Sequence, residues 1–437
     1  MSKIALPTVE PVRRVITIGV DSYNSSSFYN IDDSLDELEQ LATTAGLLVV
    51  GRMSQKLRSP NPSTYIGSGK LQELISKVEL TAADIVLFDS ELSPRNQREL
   101  EKIFDKKIQI LDRTALILDI FATNSNTREG GLQVELAQYE YRLPRLTRQW
   151  THLARQAGGA SGRTGSTGGV GLRGPGEKQL EVDRREITRR ITKLKQEIGK
   201  IRRHRAHHRK RRKISKVPIV SMVGYTNTGK SSLLRKLSNT DVLVADKLFA
   251  TLDPTTRRIE CDAGRSFLLT DTVGFIQKLP STVTAAFRAT LEEILEADLL
   301  LHIIDVNHKC LVEHSKVVLK TLDDIGVQDI PMITVLNKVD LVQEASLLKD
   351  VTTIFPDAIP VSAWSGYGLG ELTDEILSIM SEAMVGMTVC IPYTDGGLIS
   401  MFHEYAISID VHHGPDSVKL TGDLPASLIG RFRQYKC

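Results

Sequence analysis

A chain of 437 residues with 41% apolar content can bury several cores, which excludes a disordered polypeptide and predicts two or three domains. No apolar run approaches the roughly 18 residues that a membrane span needs, and the N-terminal MSKIALPTVEPVRR has charge and proline where a signal peptide needs an apolar core, so a soluble, cytoplasmic protein is expected. The formal charge of +3 conceals a polycation: residues 142 to 213 hold 22 Lys and Arg against 5 Asp and Glu, a local charge of +17 that leaves −14 for the rest of the chain. Such a concentration implies contact with a polyanion, either nucleic acid or an acidic membrane face.

In chain order, residues 13 to 123 alternate short apolar runs with helical stretches: VITIGV, DDSLDELEQLATTA, GLLVVGR, SGKLQELISKV, DIVLFD, SPRNQRELEKIF, IQILD and RTALILDIFATN. The alternation predicts βα units around a small parallel sheet. EGGLQVELAQYEYRLPRLTRQWTHLARQ reads as helical, with Pro144 kinking or interrupting it. Residues 158 to 176 hold nine glycines in nineteen positions, a composition that predicts a mobile loop. From Glu177 to Lys213 the helical pattern returns, with Leu180, Ile187, Ile191, Leu194, Ile198 and Ile201 at three- and four-residue steps, and an antiparallel hairpin with the preceding helical stretch is expected. A second βα series runs from about 217 to 384 through VPIVSMV, FLLTDTV, LLLHIIDV, PMITVLNKVD and AIPVSA, followed by TVCIPY, GLISMFHEY, YAISIDVHH and SVKLTGDL, which read as a strand-rich tail. The four cysteines, Cys261, Cys310, Cys390 and Cys437, have no CxxC spacing, so reduced structural thiols are expected rather than a zinc site or a disulfide framework.

The chemistry is concentrated in the second series. Between VPIVSMV and SLLRKL stand Gly224, Tyr225, Thr226, Asn227, Thr228, Gly229, Lys230 and Ser231, the G-x-x-x-x-G-K-S spacing of a phosphate-binding loop between strand and helix. Glycines let the backbone amides turn inward to form an anion nest at a helix N-terminus. Lys230 is placed to reach the β- and γ-phosphates and the Ser231 hydroxyl to hold Mg²⁺. Asp271, Thr272, Val273 and Gly274 then end an apolar strand, where the carboxylate can hold a magnesium-bound water and the Gly274 amide can meet the γ-phosphate. Asn337, Lys338, Val339 and Asp340 end another strand. A carboxylate at Asp340 accepts from both N1–H and the exocyclic amine of guanine, whereas adenine faces it with an acceptor, so GTP and GDP are expected rather than ATP. Ser362 and Ala363 follow the next strand, where a backbone amide can meet the guanine oxygen.

A switch threonine should close on Mg²⁺, and Thr251, Thr255 and Thr256 in KLFATLDPTTRRIE are its candidates. Where many small GTPases place a water-orienting glutamine, just after DxxG, this chain has Phe275. An apolar side chain cannot orient water, so slow intrinsic hydrolysis that awaits a partner is expected.

With these pieces in place, TYIGSGKLQEL, LDRTALILDIFA, QVELAQYEYRLPRL, GGVGLRGPGEKQLEVDRR, LFATLDPTTR and DTVGFIQKLP complete a resemblance to the HflX-type GTPases, a ribosome-associated translational GTPase family, from about residue 13 to at least 384. The resemblance implies binding to the large ribosomal subunit and, in bacteria, splitting or rescue of stalled ribosomes. It further implies that Thr251 joins Ser231 as a magnesium ligand, and that Phe249, Ala250, Thr251, Leu252 and Asp253 form the nucleotide-contacting switch. Ser362, Ala363 and Trp364 then form the last guanine loop, and an apolar residue at Phe275 is the family's habit. The glycine-rich region would face the peptidyl-transferase centre, with Arg163 and Arg173 as RNA contacts, because an arginine-studded flexible loop can enter a cavity too narrow for a folded domain. RRHRAHHRKRRK at 202 to 213 is either a further rRNA contact or a solvated basic linker. Family members have been associated with ATP use by the N-terminal domain, but IGSGK at 66 to 70 has Leu71 where a magnesium hydroxyl is needed and reads as a helix-start turn.

The expected architecture is α/β: an N-terminal βα-repeat subdomain at 13–141, a basic helical hairpin with the glycine-rich loop at 142–213, a P-loop GTPase domain with a parallel-type sheet at 214–384 and a small strand-rich C-terminal domain at 388–437. Catalysis is assigned to Lys230, Thr251, Asp271 and Gly274, and a monomer is expected. Two alternatives remain: a GTPase of rRNA or tRNA maturation or of ribosome assembly, and a non-catalytic RNA- or membrane-binding protein. The basic amphipathic helix suits acidic lipid, so peripheral membrane contact stays among the alternatives.

Overall fold

The structure, a computed structural model, describes residues 12–22, 30–105, 107–125, 127–146, 175–215, 217–238, 248–249, 254–261, 266–278, 294–327, 330–382, 384–425 and 428–437. The chain divides into two compact units: Met1–Ile201 with Ala245–Asp253 and Ile276–Ala289, and Arg202–Val244 with Pro254–Phe275 and Thr290–Cys437.

The first unit is built on β1 (Arg14–Ser22), β2 (Leu48–Leu57), β3 (Ile85–Phe88) and β4 (Gln109–Asp112), all parallel, in the order β2-β1-β3-β4. The helices are α1 (Ile31–Thr44), α2 (Ser68–Thr81), α3 (Pro94–Ile103), α4 (Arg113–Asn124) and α5 (Arg128–Arg142). Every residue of β3 is buried, as a strand covered on both faces must be. Capping fixes the helix starts: Ser93 accepts from the Asn96 amide with Pro94 in the first turn, Asp112 accepts from Ala115, and Thr127 accepts from Gly130. Helix α5 stops at Arg142: Leu143 keeps helical backbone and still donates to the Tyr139 carbonyl, but Pro144 has no N–H to continue the ladder. The IGSGK stretch is a helix start, with the Gly67 amide held by Gln55 Oε1 at 2.9 Å.

Two short pieces from further along the chain complete this unit. The Phe249 ring meets Phe121 edge-on at 4.6 Å while its carbonyl accepts from Asn124 Nδ2 at 2.9 Å. The Lys278 ammonium lies on Ser34 and on Asp89, whose carboxylate also faces the buried Arg113 guanidinium at 2.7 Å.

Helix α6 (Pro175–Ser215) covers the basic stretch and buries Ile191, Leu194 and Ile198 at the expected spacing. Its ion pairs fix its direction relative to α5. Arg190 pairs with Glu135 and Lys195 with Glu140, so α5 and α6 advance in the same direction, while residues 147–157, the first arm of the hairpin expected at 142–213, lie outside the described residues. Residues 158–174 of the expected glycine-rich loop, with Arg163 and Arg173, lie outside the described residues, and Pro175 and Gly176 already belong to α6.

The second unit carries a six-stranded sheet in the order β10-β9-β8-β5-β7-β6, from β5 (Ile219–Gly224), β6 (Thr255–Glu260), β7 (Ser266–Asp271), β8 (Leu299–Asp305), β9 (Met332–Asn337) and β10 (Ile359–Pro360). All neighbours are parallel except β6 and β7. Helices α7 (Lys230–Ser238), α8 (Leu311–Asp324), α9 (Ala345–Ile354) and α10 (Leu369–Glu382) accompany the sheet. The core joins Val220, Met222, Leu233, Leu269, Leu301 and Val335.

The C-terminal residues form an antiparallel sheet, β11-β13-β12, from β11 (Met384–Pro392), β12 (Ile407–His413) and β13 (Ser417–Pro425), with α11 (Gly396–Tyr405) and α12 (Ile429–Phe432). GLISMFHEY is therefore a helix rather than a strand. Its Leu398, Ile399, Phe402 and Tyr405 fall on one helical stripe and join the local core. The cysteine expectation also fails, since Cys390 and Cys437 form a disulfide across a separation of 47 residues that spacing rules cannot read. Cys261 and Cys310 form no disulfide.

Candidate active site

In an open α/β sheet the carboxyl ends of the strands are where loops gather at a crevice. Here β5, β7, β8, β9 and β10 all deliver polar residues to that edge. The β5–α7 loop leaves the strand at Gly224, where an added Cβ would stand 2.5 Å from the Ile303 carbonyl oxygen. Asn227 and Gly229 take φ of 62° and 91°, which turns the chain tightly enough for α7 to begin at Lys230. At Gly229 an added Cβ would meet Asn337 Nδ2 at 2.4 Å. The loop is tied internally: the Tyr225 carbonyl accepts from Lys230 Nζ at 2.7 Å and from Thr228 Oγ1 at 3.0 Å, and Gly224 O accepts from Lys230 Nζ at 3.2 Å. Burial holds the Lys230 amine down at about 8, with the Asp271 carboxylate opposing that shift.

Asp271 closes β7, fully buried, and accepts from Ser231 Oγ at 2.6 Å. Thr272 donates to the Met222 carbonyl at 2.6 Å, which anchors the turn to β5. Gly274 passes so near the phosphate loop that an added Cβ would stand 2.8 Å from Thr226 Cα and 3.1 Å from Lys230 Nζ. Phe275 is buried, and its backbone pairs with the loop in both directions, donating to Gly224 O at 3.0 Å and accepting from the Thr226 amide at 2.8 Å.

The NKVD and SAW loops meet through Asn337. Its Nδ2 donates to the Thr228 carbonyl at 2.8 Å and its Oδ1 accepts from the Ala363 amide at 3.1 Å, so one side chain joins the phosphate loop to the loop after β10. Lys338 sits at φ 68° with its ammonium 2.7 Å from Asp305, and Asn307 Nδ2 donates to its carbonyl at 2.8 Å. Asp340 is held by Ser362 Oγ at 2.5 Å, in the short helical turn that begins at Val339. Trp364 stands 86% exposed at the rim.

Of the switch candidates, Thr255 and Thr256 are strand residues of β6, and the Thr256 hydroxyl lies 3.0 Å from that of Thr270. Ala250, Thr251, Leu252 and Asp253 lie outside the described residues. Phe249 packs on Phe121 as described above. Sequence reasoning passed over Asp305, Asn307, His302 and His314, whose signals are single polar residues inside or just after the apolar run LLLHIIDV and the following helix.

Strand, phosphate loop, DxxG turn, NKxD loop and SA loop on one parallel sheet define a P-loop GTPase. Family models agree: residues 32–122 match a region described as "GTP-binding GTPase N-terminal", 124–212 a "GTP-binding GTPase Middle Region" and 219–338 a "50S ribosome-binding GTPase". The chain is 49% identical over 408 residues to GTPase HflX of Caldanaerobacter subterraneus subsp. tengcongensis, covering 92% of this chain and 90% of that protein. It is 40% identical over 375 residues to GTPase HflX of Escherichia coli, covering 85% of each. A solved structure described as "crystal structure of SsGBP and GDP complex" aligns at 25% identity and a TM-score of 0.46, over 84% of this chain and 99% of that one. The chain belongs to the HflX family of GTPases.

Proposed function

We propose that this GTPase uses its nucleotide state to control a hold on the large ribosomal subunit, and that it splits or rescues stalled ribosomes. The observation that carries the reading is the +17 segment at 142–213, joined directly to a GTPase region of a type described as 50S ribosome-binding. Neutralising RNA phosphates supplies sequence-tolerant affinity, and Arg163 and Arg173 in the glycine-rich stretch are the contacts proposed to enter the RNA.

Within the site, the amides of residues 226–230 and the Lys230 ammonium are proposed to cradle the nucleotide phosphates, with Lys230 exchanging the Gly224 and Tyr225 carbonyls for phosphate oxygens. The neighbourhood of Ser231 and Asp271 offers hard oxygen donors 2.6 Å apart beside the loop, a donor set that fits Mg²⁺. Ser231 and Thr251 would hold the ion directly and Asp271 through water. Mg²⁺ bound there supplies charge neutralisation at the β- and γ-phosphates. Gly274 offers its amide to the γ-phosphate, and Asp340, steadied by Ser362, accepts from the guanine edge. Phe275 has no group to orient the attacking water, so efficient turnover falls to the partner.

GTP turnover by the purified protein, alone and with purified large subunits, tests this, with deletion of residues 158–176 as the control. Many-fold stimulation that the deletion weakens is expected. Unchanged turnover and no co-sedimentation with subunits would overturn it and favour precursor RNA as the partner.

A further inference from the structure

The phosphate loop needs backbone from its second position, not a side chain, yet Tyr225 buries its ring, leaving 3% exposed. That ring lies flat on the imidazole of His314 from α8, with centroids 3.6 Å apart and planes 4° apart. His308 continues the pile, 4.1 Å beyond His314, and is itself fixed by accepting the Cys310 amide on Nδ1 at 3.1 Å. Behind the stack a small cavity is lined by Tyr225, Thr228, His302, Asp305, His314 and Ser315. The Nε2 of the buried His302 is without a hydrogen-bond partner among the described residues and belongs to the same group.

The backbone of Tyr225 gives this packing a consequence. Its carbonyl is the shared acceptor for Lys230 Nζ and Thr228 Oγ1, so where the ring is held decides where the lysine rests and how the loop is bent. We propose that His314 is a positioning residue for GTP binding and hydrolysis: its stack on Tyr225 fixes the phosphate loop, and with it Lys230, in the shape that accepts nucleotide phosphates. Charge is consistent with that role. Burial first, and the neighbouring His308 second, hold His314 down at about 3, while burial and then Lys230 hold His302 at about 4. Both rings are therefore neutral near pH 7, and the stack places no second cation beside the lysine.

The test compares His314→Leu, which fills the space without an aromatic face, with His314→Phe, which keeps one. Affinity for fluorescent GDP and GTP analogues is read by titration, with thermal unfolding as the check on folding. His314→Leu is expected to weaken both nucleotides by about tenfold and His314→Phe to stay within about twofold of the parent, in keeping with what aromatic pairs contribute. Tyr225→Leu should reproduce the His314→Leu loss, and the double variant should bind no worse than either single one. The proposal is overturned if His314→Phe is as weak as His314→Leu, if the two losses multiply in the double variant, or if folded His314→Leu binds as the parent does.

Discussion

The Lys278 ammonium, four residues beyond Gly274, rests on the carboxylate of Asp89, a fully buried side chain that also holds Arg113 at 2.7 Å and accepts from Ser34 at 2.8 Å. The partners are unequal: Arg113 is as buried as Asp89, whereas the Lys278 side chain is 34% exposed. Removing the shared anion takes from a buried guanidinium the closer of its two described carboxylate partners, leaving Glu37 at 2.9 Å. Asp89→Ala should therefore destabilise the first unit by about 3–5 kcal/mol, and Lys278→Met by about 1 kcal/mol or less, because water can reach the exposed cation. Denaturant unfolding of the two variants checks the ratio, and equal losses would contradict it.

Gly229→Ala tests the steric limit of the phosphate loop. A methyl group there enters at φ 91° and meets Asn337 Nδ2 at 2.4 Å, while Asn337 is held at both ends by Thr228 O and the Ala363 amide and cannot step aside. Backbone strain and collision together should weaken GDP binding by at least about tenfold in an equilibrium titration. The same substitution at Gly199 or Gly370, where an added Cβ meets nothing within 4 Å, should leave binding unchanged.

What the sequence made legible follows from locality. Phosphate-loop, DxxG and NKxD spacings are contiguous, so Lys230, Asp271 and Asp340 could be placed by strand-then-motif order alone. The packing between loops is not contiguous. Asn337 bridging Thr228 and Ala363, or Asp305 pairing with Lys338, depends on which strands lie side by side, and a parallel sheet decides that through crossovers the linear pattern does not encode. GLISMFHEY was misread because a short apolar run supports both periods. His314 was invisible as a site residue because an isolated histidine at the start of a helix resembles any solvated one.

Two buried imidazoles make stability depend on pH. Burial lowers His302 to about 4 and His314 to about 3, whereas in the unfolded chain both titrate near 6.5. Between pH 7 and 4 the unfolded state binds protons that the folded state refuses, so stability is full above about pH 6.5 and falls on acidification. A loss on the order of a few kcal/mol is expected for the second unit between pH 7 and 5. His302→Gln and His314→Phe should each flatten the profile of thermal midpoint against pH, and a parent profile with no fall over that range would exclude the burial argument.

The Cys390–Cys437 disulfide ties β11 to the segment whose Lys436 bridges Val389 and whose Cys437 amide donates to Thr388 O at 3.1 Å. Thiol titration of the unfolded, unreduced chain should count two reactive groups rather than four. Cys437→Ser should lower the stability of the C-terminal sheet by about 2–4 kcal/mol while leaving nucleotide affinity unchanged, since neither residue reaches the site. Four thiols in freshly purified protein kept from reductant would sink this prediction.

If Asp340 reads the guanine edge as proposed, guanine preference should rest on a single hydroxyl as much as on the carboxylate. Asp340 is exposed, and an exposed carboxylate on a short helical turn can sample several rotamers unless something holds it. Ser362 Oγ is that hold, donating at 2.5 Å while accepting the Ser365 amide at 3.0 Å, which locks the hydroxyl proton toward Asp340. Ser362→Ala removes the donor and leaves the Ser365 amide without that acceptor. A hydrogen bond to a charged group contributes about 1.5–3 kcal/mol, so affinity for GDP should fall by about tenfold or more. The loss should be confined to the base-reading end: competition by inorganic pyrophosphate, which engages only the phosphate loop, should be unaltered in the same variant. An equal loss for pyrophosphate would mean that Ser362 supports the whole loop cluster rather than the aspartate alone.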